Sequence, residues 1–152
     1  GGTLRAMAAD EPPATKAELA RDVWKRLFDF LIATASERNQ VLGKHDLTPN
    51  DSRALFALDA AEGRTMGSLA AEWACDASYA TSVIDRLETR GLATRRAQPG
   101  DRRVKLVVLT PRGTRLRHTL ARAIYQPPHE LLELAAPDLR ALWLAVSKLP
   151  GR

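Results

Sequence analysis

Cysteine occurs once, at Cys75, so no disulfide forms within the chain and a reducing compartment is its expected setting. Between two helices, Cys75 is expected to be a small buried hydrophobe, with redox sensing as the alternative. Aromatics are scarce at 5% while Ala and Leu abound, which leans the chain towards helix. No apolar run approaches the roughly 18 residues of a membrane span. The N-terminus lacks a basic-then-apolar pattern, so no signal peptide is expected, and the expected location is cytoplasmic. His45, His118 and His129 are scattered, without metal-ligand spacing to one another or to Cys75, so neither metal nor cofactor is expected. A glycine-rich phosphate loop and a nucleophile elbow are both missing, which argues against an enzyme.

What is present fits one domain with extensions. The chain has 152 residues, 45% of them hydrophobic and 27% charged. At this length about 70% of the unfolded surface is expected to be buried. The net charge is +5, unevenly spread. Residues 86–122 hold eleven Arg or Lys and only two acids, and the remainder has more acids than bases. Such a basic segment suits a phosphate-binding surface, and equally a solvated helix face with a charged turn.

Taken in order, residues 1–15, with Pro12 and Pro13, read as a flexible arm. From Lys16 to about Asn39 apolar residues recur at Leu19, Val23, Trp24, Leu27, Phe28 and Leu31, a helical period. Phe30 lies off that stripe, so the helix is apolar on more than one side. It packs either against another subunit or within its own domain. Residues 41–47 form a connection. Thr48 and Pro49 then start a helix, with Asp51 three residues after the cap and Gly63 as its expected stop. Thr65-Met66 is expected to form a short strand, and residues 67–74 a short helix.

Asp76 caps the next helix, over residues 77–90. Its apolar set is Ala80, Val83, Ile84 and Leu87, at i, i+3, i+4 and i+7. Ser78, Ser82, Asp85 and Thr89 project opposite, flanked by Tyr79, Thr81 and Arg86. Gly91 ends it. Short hydroxyl side chains let such a helix approach base edges in a major groove. The expected strands are 92–97 and 104–109, joined by a turn over 98–103. Arg95, Arg96, Arg102, Arg103 and Lys105 crowd this hairpin, where a tip arginine suits a narrow minor groove. Asp101 beside it is expected to orient an arginine by a charge-assisted bond. Thr110-Pro111 starts a further helix to about Tyr125, which Pro127-Pro128 interrupts. A last helix begins near Pro137, with Leu139, Leu142, Trp143, Val146 and Leu149 on one stripe. The terminal helices hold more apolar surface than one small domain covers, which implies a layer built between subunits.

Residues 83–92 read V-I-D-R-L-E-T-R-G-L, and 99–113 read P-G-D-R-R-V-K-L-V-V-L-T-P-R-G, with Leu47-Thr48 ahead of the second helix. Over about residues 16–149 the chain resembles the MarR family of bacterial transcriptional regulators. The resemblance implies a homodimer on a near-palindromic double-stranded operator, with Arg103 as the minor-groove arginine and Asp101 its partner. Ser78, Tyr79, Thr81, Ser82 and Arg86 would face the major groove. It also implies release of DNA by a small phenolic or anionic effector. Trp24, Phe28 and His45 come from segments that would line the effector cleft; ordinary core is the other reading of the two rings. The Pro127-Pro128 pair departs from the family's longer helix.

The expected fold class is mainly α with a small β-wing: a winged helix-turn-helix at 48–110, between N- and C-terminal dimerisation helices at 16–47 and 111–152. The expected function is a sequence-specific DNA-binding repressor. The alternative is a winged-helix protein-interaction module without DNA binding.

Overall fold

The computed structural model describes residues 15–151; the expected arm lies, but for Thr15, outside the described residues. The chain divides into two compact units between Ser36 and Glu37.

The first unit is α1 (Lys16–Ala33), started by a capping box in which Thr15 and Glu18 satisfy each other's backbone N–H groups. The sequence pattern suggested one helix to about Asn39. Instead a break falls at Thr34, whose hydroxyl donates to the Phe30 carbonyl, and α2 (Ala35–Gly43) follows. A threonine bonded back into the preceding turn competes with the helix ladder there. None of α1's residues is buried within the chain, and Trp24 and Phe28 stand 63% and 50% exposed.

In the second unit α3 (Pro49–Ala57) begins at a capping box between Thr48 and Asp51. It ends at Leu58 and not at Gly63. The Asp59 carboxylate accepts the N–H groups of Ala61 and Glu62, turning the chain early. Gly63 serves packing instead: a Cβ there would sit 2.5 Å from that of Leu106. Then come β1 (Arg64–Thr65), α4 (Met66–Trp73), α5 (Ala77–Thr89), β2 (Ala93–Gln98), β3 (Asp101–Leu109), α6 (Pro111–Ile124), α7 (His129–Leu132) and α8 (Ala136–Val146). The sheet is antiparallel in the order β1-β3-β2. The Gln126-Pro127-Pro128 interruption falls where expected, since neither proline can donate to a ladder.

One core gathers α3, α4, α5, the sheet and α6. Leu55, Leu58, Leu69, Ile84, Leu87, Leu92, Val107 and Leu120 are fully buried in it. The α5 stripe expected from the sequence, Ala80, Val83, Ile84 and Leu87, is buried throughout. Cys75 is half-buried, because it lies just beyond the left-handed Ala74 that ends α4. By contrast α7 and α8 bury nothing, and Leu132, Trp143, Leu144 and Leu149 are exposed. No helix among the described residues is long and apolar enough to cross a membrane.

Candidate nucleic-acid interface

Two elements set out the site, the outer face of α5 and the β2–β3 hairpin. Asp76 caps α5 by accepting the Tyr79 N–H at 2.7 Å, and the Ser78 hydroxyl donates to the same oxygen at 2.6 Å. These bonds, the Ser78 hydroxyl first, hold the Asp76 carboxyl below the ordinary range, so it is ionised at the positive end of the helix dipole. At the other end Gly91, with φ +66°, lets Leu92 donate back to the Leu87 carbonyl. A shallow groove of about 500 Å³ runs along the exposed face, lined by Ser78, Thr81, Ser82, Asp85, Arg86, Thr89 and Arg90. Ser82 is exposed and Thr81 half-buried. Tyr79 is 44% exposed, and its hydroxyl accepts from the Asn50 amide at 2.6 Å.

The hairpin is tighter than its sequence suggests. A six-residue turn was expected over 98–103, but the strands continue until only Pro99 and Gly100 remain between them. Proline followed by glycine at φ +87° suits a two-residue reversal. The register then slips. Ala97 faces Lys105, whereas Gln98 faces Asp101, so 102–104 have no residue opposite them on β2. A bulge of this kind re-aims side chains at a sheet edge. It leaves Arg102 and Arg103 exposed at the tip, with no protein partner for either guanidinium among the described residues. The Asp101 carboxylate does not hold an arginine side chain as expected. It accepts the backbone N–H of Arg103 at 3.0 Å, because two residues of separation place that N–H within reach of the short side chain.

Three other predicted contact residues are engaged within the chain. Arg86, 51% exposed along its side chain, donates to Asp51 at 2.5 Å. Arg95 bridges Asp85, at 2.8 Å, and Glu88. Arg96 donates to the Ala61 carbonyl. Arg90, outside the expected set, donates to the carbonyls of His45 and Asp46, each at 2.7 Å. Asp46 has a left-handed φ of 53°, so Arg90 braces a strained turn beside the base of α5. A lone arginine in a basic run carries no local signal for such a role. Trp24 and Phe28 are neighbours on α1, their ring centroids 6.0 Å apart. His45 lies in the second unit, half-buried, in the turn that Arg90 holds. Among the described residues no three His, Cys, Asp or Glu side chains converge as metal ligands would.

Asp51 joins the start of α3 to α5. Burial raises its carboxyl, but the Thr48 N–H, the Arg86 guanidinium and the Thr48 hydroxyl outweigh that and hold it below the ordinary value of 3.8. A carboxyl lowered on folding stabilises fully above its unfolded value, and that contribution disappears as pH falls through the folded one. Asp51→Asn is therefore expected to cost about 1–2 kcal/mol at neutral pH. The gap to the unmodified chain should close below the ordinary carboxylate range. Urea unfolding of both proteins from pH 7 down to pH 2.5 measures it (about the range such a titration needs). A gap that stays constant with pH would mean the ionised carboxylate is not what stabilises.

Residues 45–104 match the model of the MarR family. No curated protein matches the chain. Among solved structures, MarR from E. coli in its apo form is 25% identical with TM-score 0.67, the match covering 83% of this chain and 96% of that one. The transcriptional regulator BldR from Sulfolobus solfataricus is 26% identical with TM-score 0.61, covering 89% and 99%. A mutant E. coli MarR complexed with operator DNA is 25% identical with TM-score 0.60, covering 83% and 93%. Residues 45–104 are thus similar to the MarR family, and the chain has the winged-helix fold of solved transcriptional regulators, E. coli MarR and BldR among them, a fold that points to a transcription factor.

Proposed function

We propose that the chain is a cytoplasmic homodimeric repressor that binds a near-palindromic duplex and is released by a small phenolic or anionic effector. The observation that carries DNA binding is the bulged wing tip. It presents Arg102 and Arg103 exposed, without a partner among the described residues, beside a helix whose outer face is short and polar. The helix enters the major groove, where Ser78, Tyr79, Thr81, Ser82 and Arg86 lie along the bases and phosphates. Arg103 enters the adjacent minor groove. The operator-DNA complex of the E. coli MarR mutant supports this use of the fold.

Residues 48–110 form the DNA-binding part in this proposal, and 16–47 with 111–152 the dimer layer. Support comes from the apolar side chains that α1, α7 and α8 expose in a single chain, Trp24, Phe28, Leu132, Trp143 and Leu149 among them. A second copy is the simplest cover for so much apolar surface. For the effector, Trp24 and Phe28 offer aromatic surface on α1.

Selection of genomic fragments by the purified protein tests the proposal. Recovered duplexes should share two inverted half-sites about one helical turn apart. Affinity should fall steeply with salt, by about 0.9 in log–log slope per phosphate neutralised. Fragments with a single unpaired half-site would remove the dimer. No enrichment at low salt would remove DNA binding and favour a protein-interaction module.

A further inference from the structure

Six arginines lie on or beside the recognition helix and wing, at 86, 90, 95, 96, 102 and 103, and charge alone makes them equivalent. Their surroundings do not. Arg95 is 27% exposed along its side chain, and its two terminal nitrogens go to two different carboxylates of α5. One is Asp85, which lines the groove on the helix's outer face and is itself 57% exposed. The other is Glu88, one turn further along. Without Arg95, Asp85 on the face that meets a polyanion and Glu88 close to it would be two uncompensated negative charges. Arg96, next on the same strand, points to the other side of the sheet and holds the Ala61 carbonyl ahead of β1. Consecutive arginines thus fasten β2 on both faces, while those beyond the turn have no partner among the described residues.

We infer that Arg95 is a positioning and charge-masking residue for DNA binding, not a phosphate ligand. It fixes the wing to the recognition helix and neutralises Asp85 and Glu88 so that this face can approach DNA. The inference rests on the DNA-binding function proposed above and divides its basic residues into two roles. A guanidinium suits the task, because its rigid fork satisfies two acceptors at once and stays charged at any physiological pH. Masking matters most where salt screens least, close to the duplex.

A double-mutant cycle separates the roles. The probe is one duplex selected from a random pool by the unmodified protein, and binding is measured over a range of ionic strengths. Arg95→Met should weaken binding about tenfold or more at low salt. Adding Asp85→Asn and Glu88→Gln should recover most of that loss. In the unmodified background the same two replacements should change affinity far less. The log–log salt slope of the triple variant should match that of the unmodified protein. Arg95→Gln gives the same comparison if the methionine variant fails to fold, and urea unfolding of each variant confirms that folded proteins are compared.

A salt slope lower by about one in both Arg95 variants would make Arg95 a phosphate ligand and overturn the inference. So would carboxylate replacements with equal effects in both backgrounds. If the unmodified protein binds no duplex in a salt-dependent way, the function falls and the inference with it. If it binds and the cycle is additive, only the inference falls.

Discussion

Gly113→Ala should destabilise the fold by roughly 2–5 kcal/mol, a larger loss than any exposed-surface substitution is expected to bring. The reason is a contact between backbones. A Cβ at Gly113 would lie 1.9 Å from the Leu92 carbonyl oxygen, 2.9 Å from its carbon and 3.2 Å from the Leu109 side chain. Leu92 is fully buried, so neither partner can swing aside. The strain falls on a clasp that closes the wing at its base. Thr110 donates its N–H to the Leu92 carbonyl at 3.1 Å and its hydroxyl to the Gly91 carbonyl at 2.6 Å, and its hydroxyl accepts the Gly113 N–H at 3.0 Å. Lifting α6 by the distance a methyl needs breaks several of these together. Gly67→Ala is the matched control. It lies in α4 with nothing within 4 Å of a Cβ, so alanine should be neutral or slightly stabilising there. Thermal melts at one fixed protein concentration compare the two, since association makes a midpoint depend on concentration. A Gly113→Ala midpoint equal to that of the unmodified protein would mean that the approach of α6 to the Leu92 backbone is looser than described.

Arg103→Ala should leave the melting curve unchanged and weaken operator binding by about 1–3 kcal/mol for each wing that engages DNA, roughly tenfold to a hundredfold. The two readouts separate because the Arg103 guanidinium has no protein partner among the described residues, while its backbone N–H is held by Asp101. Truncation beyond Cβ removes the groove contact and keeps the turn. Arg103→Lys should fall between the two, since an ammonium keeps charge and loses the planar fork. Gel shifts at several salt concentrations on the selected duplex decide it. Unchanged affinity for Arg103→Ala would detach the wing tip from the DNA, and Arg102 would then be tested in its place.

Local grammar in this chain was largely legible. Thr48, Asp76 and Thr110 cap the helices that follow them, and Gly91 and Pro127-Pro128 stop or interrupt others, whereas Thr65, read with Met66 as a strand, caps α4. Each signal acts within about one helical turn, so neighbouring letters suffice to read it. The α5 stripe was equally plain, because a 3.6-residue period in one short segment can bury only one face. What was misread depends on more distant partners. Gly63 looked like a helix stop and turned out to be a place where Leu106 approaches closely. The wing looked like a wide turn and closed on two residues, since strand pairing extended through Gln98 and Asp101 and pushed the surplus into a bulge.

The sequence by itself determined where most of the capped helices begin, which faces are apolar, and that a basic hairpin follows a polar-faced helix. Those are properties of neighbouring residues, and backbone geometry enforces them locally. Only the tertiary structure decided what each arginine does. Arg86 meets Asp51 from 35 residues away, Arg90 meets His45 from 45, Arg96 meets Ala61 from 35, and Arg117 meets the Leu58 carbonyl from 59. A long, always-charged side chain takes whichever acceptor the fold brings within reach, and that choice is invisible until distant segments have packed. Arg102 and Arg103 remain outward because the bulge carries them past the acceptors that hold the others.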